Sequence, residues 1–272
     1  MIINDISTVD LTSYKRLFVF GCSFTNYMWP TWADLLHAEM PTAEFFNLGK
    51  SGAGSQFISS MIVEANQRYT FTESDLIIVQ WSTYFREDRY IKNFWETPGN
   101  IFTQQMYDET FIRKFACIRG YIIRDLAIMT SIKYMLNSLP CSTVLLSSIP
   151  VDAELKMIDP DVNIDDVVDL YKDTINSLQP AMSELLRPPG NNSVFTWVAT
   201  VHYSDPTNNK PLVHDYHPTT ESYYIYLKKL GFNLTEKSSD FSNEAETILN
   251  TIKTRAEFEI YWPIKSPTIK IL

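Results

Sequence analysis

Three polar residues near opposite ends of the chain have the types needed for nucleophilic catalysis. Ser23 follows an apolar run (residues 17–20) and Gly21, whereas Asp215 and His217 lie near the other end. A serine hydroxyl becomes a good nucleophile when a histidine accepts its proton, and a carboxylate can orient that histidine. These residue types predict acyl transfer, with Ser23 as nucleophile, His217 as base and Asp215 as the orienting acid.

The serine block also has simpler interpretations. Ser23, Thr25 or Asn26 could cap a helix that is expected to start near Trp29, because these residue types dominate helix N-caps. Cys22 is a second candidate nucleophile, although a free cysteine is more often a small buried hydrophobe. Taken alone, the block favours capping.

A glycine-rich block (residues 47–55) follows a second apolar run and opens a predicted helix. Backbone N–H groups at the start of a helix favour anions. The block therefore adds anion donors to the serine and the Asp/His pair, which completes the set of groups that acyl transfer needs.

The order of the three blocks resembles the SGNH, or GDSL-like, hydrolase family. The resemblance spans roughly residues 16–231 and implies an esterase in which the N–H groups of Ser23 and Gly52 form the oxyanion hole. Two departures from the family pattern are small. Cys22 occupies the position of the aspartate in the usual Gly-Asp-Ser motif, and only Tyr216 separates Asp215 from His217, where the family more commonly has two residues.

The third block departs further from the family pattern. The family has Gly-x-Asn-Asp after the third strand, where the asparagine donates to the oxyanion, whereas this chain has no asparagine in residues 80–86. We predict Ser82 or Thr83 as the replacement donor. Arg86 is expected to pair with a neighbouring carboxylate or with substrate, and Trp81 and Tyr84 are expected to bind substrate.

The elements that must position these residues alternate between strands and helices. Apolar runs predict five strands at residues 17–20, 44–48, 75–81, 142–149 and 193–201, each but the last followed by a helical pattern. Such alternation is typical of a three-layer α/β/α fold with a flavodoxin-like, doubly wound parallel sheet in the order 2-1-3-4-5. The carboxyl ends of the strands then form the ligand crevice.

Two segments lie outside this alternation. We predict one α/β domain (residues 1–233) with an aromatic-rich insertion at about residues 84–107, and a C-terminal helix and tail (residues 234–272) packed on the domain or on a partner. The insertion could bind sugar rings or an acyl group, or could pack its own aromatics. The tail is a candidate surface for a homo-oligomer or an assembly partner.

The remaining histidines predict no cofactor. His37 lies within a helical pattern, and His202 and His214 are interpreted as structural. A metal site made of His202, His214, Asp215 and His217 is a weak alternative, because no compact ligand pair on a helix supports it. We therefore expect neither a metal nor an organic cofactor.

Composition limits the partners and the compartment. The formal net charge is -9, and no basic run is present, which argues against nucleic acid or an anionic membrane as partner. Three widely spaced cysteines and no signal sequence favour a soluble, cytoplasmic protein, although incorporation into a larger particle stays open. The function is predicted to be cleavage of a small acyl ester, such as an O-acetyl group on a carbohydrate. The alternative is a non-catalytic binding or assembly protein with the same fold.

Overall fold

Among the described residues the protein is built on a four-stranded parallel sheet, whose strands lie side by side in the order second, first, third and fourth along the chain. A computed structural model describes residues 1–102, 107–151, 161–187 and 201–263. The four sheet strands are β1 (Arg16–Phe20), β2 (Glu44–Asn47), β3 (Asp75–Trp81) and β6 (Ser142–Ser147). This sheet confirms the predicted fold class and the order of the first four strands.

Helices and two small hairpins complete the described chain. The hairpins are formed by β4 (Arg89–Ile91) with β5 (Phe94–Glu96), and by β7 (Val201–Asp205) with β8 (Lys210–Asp215). The helices are α1 (Trp32–Glu39), α2 (Ser55–Tyr69), α3 (Glu109–Phe115), α4 (Ile118–Asn137), α5 (Asp165–Leu170), α6 (Lys172–Ile175), α7 (Met182–Leu186), α8 (Thr220–Leu230), α9 (Glu236–Leu249) and α10 (Arg255–Tyr261).

Successive side chains of β1 and β3 enter two different cores, as expected for strands covered on both faces. Phe18 and Phe20 lie in the core beneath α2 and α4. Leu17 and Val19 lie in the core beneath α1 and α8. The sheet is therefore the middle of three layers, and the carboxyl ends of its strands carry the serine and glycine blocks.

The structure describes only part of the predicted C-terminal topology. Residues 193–200 of the predicted fifth strand lie outside the described residues, and Val201 begins an antiparallel hairpin. The tail after residue 263 also lies outside them. The amphipathic pattern in the tail region predicts one helix at residues 242–258. This prediction is wrong, because α9 already starts at Glu236 and a separate helix, α10, follows a capping box between Thr254 and Glu257.

The sequence predicts a long helix at residues 109–139 with an interruption at Gly120, and the structure places the interruption earlier. Helix α3 ends at Phe115, and the Cys117 sulfur accepts a hydrogen bond from the Gly120 N–H to cap α4. Gly120 therefore lies in the first turn of α4. No helix among the described residues is long and apolar enough to cross a membrane.

The insertion forms the hairpin β4–β5 beside the sheet. Its turn residues Lys92 and Asn93 both have positive φ angles, 51° and 70°, as a tight hairpin turn requires. Tyr84 and Phe85 are buried, whereas Tyr90 and Phe94 are 46% and 50% exposed. The predicted aromatic surface is therefore limited to the hairpin, and the aromatics that precede it join the core.

Candidate active site

The serine block forms a tight turn after β1. The N–H groups of Thr25 and Asn26 both donate to the carbonyl of Cys22, which folds the chain sharply at Ser23. A Cβ atom on Gly21 would lie 2.1 Å from Thr25 Oγ1, so only glycine fits there. Thr31, rather than any residue of the serine turn, caps α1, which shows that the capping interpretation of Ser23 is wrong.

The Asp/His block is delivered by the β7–β8 hairpin. Asp215 is the last residue of β8, and its carboxylate accepts the backbone N–H of His217 at 3.0 Å. Thr219 then caps α8, which ends at Gly231 with a φ of 100°. The short loop between the hairpin and α8 therefore fixes His217 relative to Asp215.

Ser23, His217 and Asp215 form a continuous chain of hydrogen bonds. The distance from His217 Nε2 to Ser23 Oγ is 2.8 Å, and that from His217 Nδ1 to Asp215 Oδ1 is 2.7 Å. Because an ionised carboxylate can only accept, Nδ1 carries the proton of the neutral imidazole. Nε2 is then free to accept the proton of the Ser23 hydroxyl.

Two tyrosines complete the surroundings of Asp215. The hydroxyls of Tyr27 and Tyr203 both donate to Oδ2, the latter at 3.3 Å. Burial raises the pKa of the Asp215 carboxyl, but hydrogen bonds from His217 and Tyr27 outweigh burial and leave the pKa below its ordinary value. Asp215 is therefore ionised at neutral pH although it is only 7% exposed.

Aromatic rings hold the imidazole in place. Tyr27 stacks on His217 with ring centroids 3.8 Å apart and planes 20° apart, and Phe24 meets it edge-on at 5.2 Å. Trp29 packs against Tyr27 and donates from its indole to the carbonyl of Pro218. These contacts restrict rotation of the base, which favours catalysis by a preset geometry.

The glycine block forms a turn (residues 49–54, the glycine turn) between β2 and α2. Gly52 has a φ of 78°, which favours glycine over any other residue. Within the described part of the chain, neither the N–H of Ser23 nor that of Gly52 donates a hydrogen bond. Both predicted oxyanion donors are therefore available.

The structure separates the residues of the third block. Ser82 donates to the Thr83 carbonyl across a long 3.4 Å. The Thr83 hydroxyl oxygen accepts a hydrogen bond from Arg86 Nε at 2.9 Å. The hydroxyl itself donates no hydrogen bond to any of the described residues. Trp81 and Tyr84 are 1% and 3% exposed and pack in the core beneath α2, a placement that favours a structural role over substrate binding.

Among the described residues Arg86 makes no hydrogen bond to a carboxylate, but its charge acts on Asp88: burial raises the pKa of the Asp88 carboxyl, and the guanidinium opposes this rise. Its guanidinium donates to Thr83 and, at 3.0 Å, to the carbonyl of Ala53. Glu87 pairs with Arg89 and Arg124 instead. The expected neighbour Asp88 is therefore present as an electrostatic contact, whereas the hydrogen bonds of Arg86 go to Thr83 and Ala53. The alternative, a substrate group as partner, stays a prediction.

The other candidates lie away from the hydrogen-bonded chain. Cys22 is fully buried in the core, and His37 stacks on Phe45. His202 and His214 pair across the β7–β8 hairpin with ring centroids 4.8 Å apart, on the face opposite Asp215. In the part of the chain that the structure describes, no three His, Cys, Asp or Glu side chains come together as a metal site.

Sequence reasoning missed the residues that support the site. Tyr27, Tyr203 and Trp29 contact the Asp/His block but lie in different elements, so no local pattern joined them. The hairpin that carries Asp215 did have a signal, because the turn-forming run at residues 205–209 separates two strand-like segments.

Fold and site together define a class: a parallel α/β protein in which serine, histidine and aspartate are hydrogen-bonded in the order that serine hydrolases use. No protein-family model matches the sequence, and no curated protein matches it significantly.

Several solved structures are similar to the chain. A lipolytic G-D-S-L family member from Veillonella parvula is 13% identical with a TM-score of 0.40, and the match covers 79% of this chain and 94% of that one. An α/β hydrolase enzyme from the metagenome of Lake Arreo is 11% identical with a TM-score of 0.41, over 81% and 97%. An acetyl xylan esterase from Geobacillus stearothermophilus is 13% identical with a TM-score of 0.36, over 81% and 96%. At such identities, roles for individual residues depend on the geometry of this site.

Proposed function

We propose that the protein is a serine esterase that cleaves small acyl esters. The observation that carries the proposal is the hydrogen-bonded chain from Ser23 Oγ through both nitrogens of His217 to Asp215. The buried tyrosines that donate to Asp215 support it, because they keep the carboxylate ionised beside the imidazole. A purely structural serine turn does not require this arrangement.

In the proposed reaction Ser23 Oγ attacks the ester carbonyl while His217 Nε2 takes the hydroxyl proton. The new C–O bond forms as the carbonyl electron pair moves to oxygen, and Asp215 stabilises the imidazolium. His217 then gives its proton to the leaving alkoxide as the ester C–O bond breaks. In the second half of the cycle His217 deprotonates a water that attacks the acyl carbonyl. His217 then returns the proton to Ser23 Oγ as the acyl–oxygen bond breaks and the carboxylic acid leaves.

Three donors are proposed to bind the oxyanion: the N–H groups of Ser23 and Gly52, and the hydroxyl of Thr83. Arg86 supports the choice of Thr83 over Ser82, because a hydroxyl that accepts from Arg86 must direct its proton elsewhere. Each well-placed donor is worth about 2.7–4 kcal/mol in the transition state. Thr83 thus takes the place of the missing asparagine.

We also propose that the substrate is an acyl ester, such as an O-acetyl group, on a carbohydrate. The exposed rings of Tyr90 and Phe94 on the insertion hairpin support it, since such rings can stack on sugars.

The test is hydrolysis of a series of aryl esters from acetate to octanoate, and of acetylated oligosaccharides, by wild type and Ser23→Ala. The proposal predicts turnover that falls with acyl length and is lost in the variant. A wild type inert towards every ester would favour the non-catalytic binding alternative.

A further inference from the structure

The insertion caps the helix that begins at the glycine turn. Gly54 is the N-cap of α2 and has no side chain with which to cap it. The carboxylate of Asp88 does so instead, accepting from the N–H of Gly54 at 2.9 and 3.0 Å and from that of Phe57 at 2.9 Å. Asp88 is only 4% exposed. One buried side chain of the insertion therefore fixes the end of the glycine turn.

Arg86 ties the same turn to the third block. Its guanidinium donates to the carbonyl of Ala53 at 3.0 Å and to the hydroxyl of Thr83 at 2.9 Å. The Arg86 Cβ also packs against Gly54, where a Cβ atom would lie only 2.6 Å away. One side chain thereby links Thr83 to Ala53 and Gly54, which follow Gly52 in the glycine turn.

The far end of the insertion contacts the first half of the turn. Thr97 Oγ1 donates to the carbonyl of Ser51 at 2.7 Å, and Lys50 donates to the carbonyl of Trp95. The carbonyl oxygen of Thr97 lies 2.0 Å from where a Cβ on Gly52 would be. The insertion therefore contacts the glycine turn along its length, from residue 50 to residue 54.

Helix α4 holds the insertion in place from the other side. Arg124 donates to the carbonyl of Arg86 at 2.7 Å and to Glu87 at 3.2 Å, and the Tyr121 hydroxyl donates to Glu87 at 2.7 Å. These contacts lie behind the hairpin and give it a fixed support. A support of this kind is what a group that holds donors in a preset geometry needs.

We propose that residues 86–99 form a clamp that positions the Gly52 N–H for the oxyanion, with Asp88 and Arg86 as positioning residues, a role that depends on the esterase function proposed above. Neither residue touches the reacting atoms. The clamp explains how the site keeps its donors aligned although the third block lacks the family asparagine.

The test compares Asp88→Ala with Asp108→Ala, which removes an exposed capping carboxylate from α3 and so controls for the loss of a helix cap away from the glycine turn. Turnover is measured on an aryl ester and on the corresponding thionoester, whose carbonyl sulfur is a weak hydrogen-bond acceptor. Hydrogen exchange of residues 50–57 is followed in the same proteins, and unfolding midpoints report the loss of stability.

Asp88→Ala is expected to lower ester turnover on the order of 10²-fold, to lower thionoester turnover much less, and to speed exchange at residues 50–57. Asp108→Ala should change none of these. Equal losses on ester and thionoester, or unchanged exchange at residues 50–57, would overturn the clamp. If exchange rises but the wild type hydrolyses no ester, the clamp stands as a structural device and the esterase function fails.

Discussion

Replacing Asp215 by asparagine separates two roles of the carboxylate: it orients the His217 ring, and its negative charge stabilises the imidazolium. The Oδ1 atom accepts from both the backbone N–H and the Nδ1–H of His217, whereas Oδ2 accepts from two tyrosine hydroxyls. A backbone N–H cannot reverse its polarity, but a tyrosine hydroxyl can rotate to accept. The asparagine carbonyl is therefore held at the Oδ1 position, and its NH₂ group faces the tyrosines.

In this orientation His217 keeps its proton on Nδ1, and only the negative charge of residue 215 is lost. A charge-assisted hydrogen bond exceeds a neutral one by about 1–1.5 kcal/mol, and the attraction to the imidazolium is at most about 4 kcal/mol for charges 4 Å apart at an effective dielectric constant of 20. We therefore expect kcat to fall between about 10-fold and about 10³-fold. The wrong tautomer would cost about 10⁴, the value known for a serine protease.

The assay is kcat on an aryl acetate for Asp215→Asn, with Asp205→Asn as the matched control. Asp205 is buried in the same hairpin, where it caps a turn rather than facing the histidine. The control should retain wild-type kcat. A 10⁴-fold loss in Asp215→Asn would show that the amide is reversed and that the backbone N–H does not fix it, whereas full activity would show that another group orients His217.

Three further predictions test other contacts. Tyr27→Phe keeps the ring stacked on the histidine but removes a donor to the carboxylate, so kcat should fall about 10-fold, as the loss of a hydrogen bond to a charged group predicts, with an unchanged circular dichroism spectrum. Thr83→Val should lower kcat about 10²-fold, whereas Ser82→Ala, whose hydroxyl makes only a long local bond, should leave it unchanged. Equal effects of the last two changes would contradict the donor assignment. Burial raises the pKa of Asp125 to about 7, although its ion pair with Arg124 opposes this. Above pH 4 the unfolded chain ionises this carboxyl before the folded chain does, so Asp125 costs stability that grows up to pH 7. Asp125→Asn should therefore be more stable than wild type by up to about 4 kcal/mol at pH 7 and equal to it at pH 4, measured by urea unfolding at both pH values. A constant difference would refute this.

The sheet could be predicted from the sequence because its signals are local. Continuous apolar runs mark β1 and β3, and the turn residues after them mark the carboxyl ends at which Ser23 lies. The Asp/His block was recognisable for a similar reason, since its two residues are neighbours in the sequence. These short-range patterns, together with the order of the three blocks and its family resemblance, led to the prediction that Ser23 and His217 meet across 194 positions.

The support around the site could not be predicted in this way. Asp88 caps a helix that starts more than thirty residues earlier, and Tyr203 reaches Asp215 only because a hairpin pairs their strands. The expected partners of Arg86 were a nearby carboxylate or substrate, whereas its hydrogen bonds also reach Ala53 in another element. Long-range hydrogen bonds of this kind leave no periodic trace in the sequence.

The most direct test of the central claim is covalent labelling of wild type and Ser23→Ala with a fluorophosphonate, followed by mapping of the adduct by mass spectrometry. The hydrogen bond from Ser23 Oγ to His217 Nε2 predicts a single adduct on Ser23, none in Ser23→Ala, and strongly reduced labelling in His217→Ala. Absence of an adduct on folded wild type, or equal labelling of the Ser23→Ala variant, would contradict the assignment of Ser23 as the nucleophile.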